Sequence, residues 1–300
     1  MTDMSTQMPQ KSRTVGRVVA IARKEFHTGI RSDALQIIFG LLLTATVLVF
    51  WASSRSADPT VLSAIGLLGL PFQLLIPVAA ITLATGSIAG ERATGSLKVL
   101  LGLPPSRTEV VVGTFLGATG VLVAGLSATF VIAAVLAVAF FGTLAVGPLV
   151  SVVSAAFLLG MAFLGFSVGL SAAASTTKRA MTAGFGGFLG LTFLWEPILA
   201  GVYYLVTGSG PSGELPGWVL LIDQMNPIEA YAVVANMAGD VGVTPLRISI
   251  GLGGQSAAAQ WASTAIPTVL LEPLSFGVLC SWVVLPLVAG MYWFQRSDLT

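Results

Sequence analysis

Residues able to do chemistry are few in this chain, and their spacing narrows what they could do. A single histidine, His27, and a single cysteine, Cys280, leave no thiolate cluster, no internal disulfide and little scope for zinc or imidazole chemistry. His-Glu-x-x-His is absent, as is Gly-x-x-x-x-Gly-Lys-Ser/Thr, the loop whose backbone amides cradle nucleotide phosphates. No catalytic, cofactor-binding or metal-binding residue is therefore expected in this chain. Its densest polar chemistry lies in Glu91–Arg107, ERATGSLKVLLGLPPSR, set between two apolar runs. Gly95 breaks the preceding helix, and Gly102 with Pro104-Pro105 stops whatever follows. Ser96 to Leu101 then reads as one or two helical turns, with Leu97, Leu100 and Leu101 on one face. Ser106 and Glu109 have capping-box spacing, so a new helix starts at Arg107. The ends of such a cross-helix cannot move without moving the helices that flank it.

Three further residues stand out. Glu196, between Trp195 and Pro197, is the one carboxylate well inside an apolar run, and an ionisable group in hydrocarbon is a functional candidate by default. The pattern favours a fifth span that ends near Trp195, which would leave Glu196 at the outer surface. Asn226 and Glu229 have capping-box-like spacing and predict a short helix through Ala238. Together Glu196, Asn226 and Glu229 are candidates for the outer part of a pathway. The pairs Gly86/Gly90, Gly113/Gly117, Gly165/Gly169 and Gly186/Gly190 would let helices approach closely in lipid.

The elements that position these residues follow from composition. Hydrophobic residues make up 55% of the 300 and charged ones 9%, with a mean hydropathy of +0.91. A soluble domain carries roughly a quarter charged residues, so this chain reads as an all-α polytopic membrane protein. About 20 apolar residues cross the bilayer as a helix, and six such runs are visible: 34–52, 61–89, 108–141, 148–175, 180–206 and 273–294. Pro71 and Pro77 should kink the second. Residues 207–272 form an outer segment too polar to span, with short helices expected between spans five and six.

Residues 1–33 form a tail whose stretch Val15–Arg31 is amphipathic. Val15, Val18, Val19, Ala22, Phe26 and Ile30 take one face, and Arg13, Arg17, Lys24 and Arg31 the other. A basic helix of this kind suits a membrane interface and its lipid headgroups. Of the 14 basic residues, all but Arg55 and Arg247 fall on one side, which predicts that both termini are cytoplasmic.

In order and spacing, nearly the whole chain resembles the permease subunit of type-2 ABC transporters. The resemblance is carried by Ala22-Arg23-Lys24-Glu25-Phe26, by Glu91–Gly113, by Asn226-Pro227-Ile228-Glu229-Ala230-Tyr231 and by the end at Phe294–Leu299. It implies a plasma-membrane protein whose partner is a separate ATP-binding subunit carrying ATP and Mg²⁺, and a dimer of permeases, homo- or heterodimeric; nucleic acid is not among the implied partners. Glu91, Gly95, Leu97, Lys98, Leu100, Leu101 and Pro104 would form the coupling helix against that subunit. The amino-terminal helix, with Arg17, Arg23, Lys24, Glu25 and Phe26, would lie beside it, and Lys178 and Arg179 would form a second, smaller contact. Export is the expected direction. The resemblance also admits a permease that serves copper-enzyme maturation through an extracytoplasmic partner. From the residues alone, an ion-coupled secondary carrier is the rival, with Glu196 as its one candidate.

Overall fold

A computed structural model describes residues 10–85, 106–210, 215–248 and 271–296. Among the described residues every regular element is a helix. In chain order these are α1 (Gln10–Ile30), α2 (Asp33–Ser53), α3 (Val61–Leu67), α4 (Gly69–Thr85), α5 (Arg107–Phe141), α6 (Val146–Ala173), α7 (Thr177–Leu189), a π-turn (Gly190–Leu194), α8 (Trp195–Thr207), α9 (Gly217–Gln224), α10 (Pro227–Ala235) and α11 (Leu271–Arg296). Among the described residues six segments are long and apolar enough to cross a membrane: α2, α3 with α4, α5, α6, α7 through α8, and α11. Large apolar side chains such as Val135, Leu205 and Leu285 stand exposed on the outside of the bundle, as a hydrocarbon environment allows.

Local chemistry explains the boundaries. Thr60 caps α3 by accepting the Ser63 amide, and the second span is broken at Leu68. Pro71 then falls in the first turn of α4, where a missing amide hydrogen costs little, while Pro77 lies inside that helix. Ser106 and Glu109 form the reciprocal capping box that their spacing predicts. Gly142 ends α5 in the left-handed region, at φ 68°, which a residue with a Cβ adopts at a cost.

The fifth span does not end near Trp195. It runs on from Thr177 to Thr207, and the π-turn absorbs the irregularity at Gly190–Leu194. Such bulges insert a residue without breaking the helix, and for that reason the expected stop at Trp195-Pro197 is absent.

The core is organised around α6. Gly165 and Gly169 lie against the α11 backbone at Val283 and Pro286, and Gly290 of α11 meets Gly169 in return, so any added Cβ would clash with main chain. Gly113 and Gly117 do the same for α1, receiving Ile21, Ala22 and the Glu25 stem. Gly186 and Gly190 have open space in front of them, and Gly86/Gly90 lie outside the described residues. Gly165-Phe166-Ser167-Val168-Gly169 also has Gly-x-Ser-x-Gly spacing. Ser167 is fully buried in mid-helix, whereas a nucleophile elbow needs an exposed strand-to-helix turn. Its glycines serve packing.

At 35 residues, α5 is about 52 Å long, roughly 20 Å more than the hydrocarbon requires. Along the first half of α5, α1 runs alongside: Val18 and Ile21 meet Gly113, Phe26 meets Gly120, and Gly29 meets Val121. The face predicted for α1 therefore divides. Val18, Ala22 and Phe26 pack on α5, joined by Ile21, while Val15, Val19 and Ile30 remain exposed.

Candidate functional site

Polar chemistry concentrates at opposite ends of the bundle. The hairpin end is where 86–105 joins α4 to α5. Glu91, Gly95, Leu97, Lys98, Leu100, Leu101 and Pro104, expected to form a coupling helix, lie outside the described residues, but the start of α5 that follows them is described. The Glu109 carboxylate accepts the Ser106 amide at 2.7 Å and also takes Arg17 of α1 in a two-pronged pair. Arg17 Nη2 donates to Oε1 at 2.7 Å and Nε to Oε2 at 3.1 Å. Fork-to-carboxylate geometry of this kind fixes orientation as well as adding energy. Next to it, the Arg107 guanidinium donates to the carbonyls of Phe294 and Gln295, capping the last turn of α11. Three elements distant in sequence thus meet where the hairpin enters α5.

The other residues expected at this end are less engaged. Arg23 is exposed, Lys24 reaches Glu25 at 3.7 Å, and Phe26 packs on Gly120. Lys178 and Arg179 are exposed in the first turn of α7, where the Thr176 hydroxyl caps the Arg179 amide and Arg179 donates to Ser175 at 2.9 Å.

The loop end carries α9, α10 and the extended strap 239–248. Here the structure brings together two of the three candidate outer residues and adds two that sequence reasoning missed. Arg247, on the strap, reaches Glu229 of α10 at 2.7 Å, Asp223 of α9 at 3.1 Å and Glu196 of α8 at 3.4 Å. Glu196 is not at an outer surface; it is 2% exposed, because α8 carries it under the strap. Glu229 does not complete a capping box, since its carboxylate turns to Arg247. Asn226 does cap α10, accepting the Ile228 amide at 2.9 Å. Its amide nitrogen donates to the Leu191 carbonyl at 2.7 Å and so ties α10 to the π-turn. The helix ends at Ala235 rather than Ala238.

The strap is itself anchored. The Asn236 side-chain oxygen accepts the amides of Val241 and Val243, each at 3.2 Å. Buried Gln73 of α4 accepts the Leu246 amide at 2.7 Å and donates to the Thr244 carbonyl at 2.9 Å. Gly66 and Gly69 leave room for Val241 and Val243 to lie on the second span. Burial, then the neighbouring Asp223 charge, pushes Glu229 up to about 8. Burial likewise raises Asp223. Burial alone would lower Arg247, but Glu229, Asp223 and Glu196 override it and hold the guanidinium charged. Arg247 left one sequence signal: it is a lone cation on the side that otherwise holds only Arg55. A cleft of about 310 Å³ opens sideways between α5 and α6, lined by Phe130, Phe157, Ser127 and Ser154 among others. It contains no ionisable side chain.

The family model described as "ABC-2 family transporter protein" matches residues 19–299. The chain is 29% identical over 262 residues to a protein of Pseudomonas aeruginosa named "Probable ABC transporter permease protein NosY", covering 83% of this chain and 92% of that protein. A protein of the same name from Stutzerimonas stutzeri is 27% identical over 294 residues, covering 94% and 99%.

Proposed function

The chain belongs to the ABC-2 family of transporter proteins, and from that premise we propose that it is the translocating half of an ATP-driven exporter gripped at its hairpin end. As an ABC permease it is a multi-pass membrane component, and the family implies an ATP-binding partner subunit. Glu91, Gly95, Leu97, Lys98, Leu100, Leu101 and Pro104 form the coupling helix against that subunit, which holds ATP and Mg²⁺. Lys178 and Arg179 add a smaller contact, and the exposed cations Arg23 and Lys24 of α1 face the same side. Val15, Val19 and Ile30 of α1 rest in the membrane interface. Two permeases associate, and each pairs with one ATP-binding subunit. The hairpin end faces the cytoplasm with both termini, in keeping with the bias of Lys and Arg toward that side.

The observation that carries this is the frame at Ser106–Glu109. A hairpin emerging from a capped helix that is clasped to α1 and α11 delivers its motion to three elements at once. ATP-driven closure of the partner subunits moves the hairpin, and the bundle follows. Purification with the ATP-binding subunit, followed by ATPase assays, tests it. Leu97→Asp with Leu100→Asp should abolish ATPase stimulation by the permease while the chain still inserts. Full coupled activity in that double variant would sink the hairpin role.

A further inference from the structure

The Arg247 cluster is not explained by the hairpin mechanism, and its charge does not balance. Glu196, Asp223 and Glu229 are 2%, 8% and 4% exposed, and they converge on one guanidinium. With all four ionised, two negative charges would stay uncompensated away from water, which is costly even beside an arginine. Among the described residues, no second cation pairs with them. Glu196 comes from α8, Asp223 from α9, Glu229 from α10 and Arg247 from the strap. Asp240, at the other end of the strap, is exposed and accepts the Gly242 amide, and Glu272 at the start of α11 is exposed. Residues 249–270 contain no Asp, Glu, His, Lys or Arg; Glu214 lies outside the described residues.

We infer that this cluster is a proton-holding clasp: the closed strap keeps at least one of its carboxyls protonated, and lifting the strap releases that proton. On opening, water reaches the carboxyl, its O–H bond breaks, the proton passes to water and a hydrated carboxylate remains. No other reactant is needed. The clasp joins α3 and α4 to α8 through the strap, so its release loosens the second and fifth spans from each other at the loop end. Glu229 sits near 8 when closed against about 4.5 when hydrated. The closed form therefore binds more protons across that window, and rising pH favours the open form. Because the sites are coupled, the proton belongs to the cluster rather than to one residue.

Hydrogen exchange on the full chain in lipid nanodiscs reads the clasp directly. The amides of Val241, Val243 and Leu246 are bonded to side chains of Asn236 and Gln73, and they exchange when the strap lifts. After correction for the intrinsic rate, their opening constant should rise by up to about tenfold per pH unit between roughly 5 and 8, then level off. Glu229→Gln, which mimics the protonated carboxyl, should remove most of that slope, and Arg247→Met should expose the strap amides at every pH. A flat profile in the unaltered chain, or an undiminished slope in Glu229→Gln, would overturn the clasp. Should Arg247→Met fail to insert, the other two profiles decide the matter.

Discussion

Both ends of this bundle are fastened by an arginine that reaches across the fold, but the two fastenings are built differently. At the hairpin end Arg17 meets one carboxylate, Glu109, and charge balances; the pair is partly open, with Arg17 29% exposed and Glu109 6%. At the loop end Arg247 meets three carboxylates, and its side chain is 13% exposed. A balanced pair whose arginine reaches water holds its geometry over a wide pH range. An unbalanced, dry one must take up protons to stay closed. The hairpin end thus suits transmission of a push, and the loop end suits release.

The comparison is most strongly tested by removing Arg247. Arg247→Met leaves three buried carboxylates without their cation, and breaking a buried pair from one side costs about 3–5 kcal/mol. Thermal unfolding of the purified chain should fall sharply above neutral pH and recover in part below about pH 5, where the carboxyls take up protons. The same linkage sets the behaviour of the unaltered chain. Glu229 is raised in the folded state, so its contribution to stability is fully present below about 4.5 and is lost as pH rises through about 8. Unfolding midpoints measured across that range should decline, and Glu229→Gln should flatten the decline.

At the hairpin end the expected effects are smaller. Glu109→Gln should cost about 1–3 kcal/mol, since it weakens both the capping box and a charge-assisted pair. A double-mutant cycle with Arg17→Met should show coupling between the two positions, and their midpoint losses should hardly vary from pH 6 to pH 8, unlike the losses at Arg247. Asn226→Ala removes a helix cap and should cost about 1 kcal/mol. Its second sign would be faster amide exchange around the π-turn, where the Leu191 carbonyl loses its donor. Smallest of all, Lys24→Ala should change stability by about 0.5 kcal/mol or less, because the Lys24 side chain is itself half exposed and its contact to Glu25 is long, at 3.7 Å. A large effect there on ATPase stimulation, without one on stability, would assign Lys24 to the partner interface.

The two ends were also unequally legible. Ser106 and Glu109 announce their capping box because both partners lie within one helical turn, and local spacing is what a sequence displays. Arg17 could not be paired in advance with Glu109, which lies 92 positions away. Glu196 stands out as an oddity, a carboxylate in an apolar run, but the strap that buries it lies about 50 residues away and leaves no local trace. The Trp195-Pro197 pattern resembles a helix stop, and nothing local discloses a π-turn that lets the helix continue. Glu229 misled in another way. Its spacing from Asn226 fits a capping box, yet a buried guanidinium 18 residues on offers more than a backbone amide. Six spans follow from hydrophobic run lengths alone, whereas the strap has no periodicity to read and is defined by contacts to Gln73 and Asn236.

The central claim is that the ATP-binding subunit grips the hairpin end, and site-directed crosslinking tests it most directly. In a Cys280→Ser background, Lys98→Cys places a photoreactive label on the hairpin, and Ile222→Cys places one on exposed α9 at the loop end. With the ATP-binding subunit present in the membrane, illumination should join that subunit to the label at position 98 and leave position 222 unattached. Attachment at 222 with none at 98 would contradict the account.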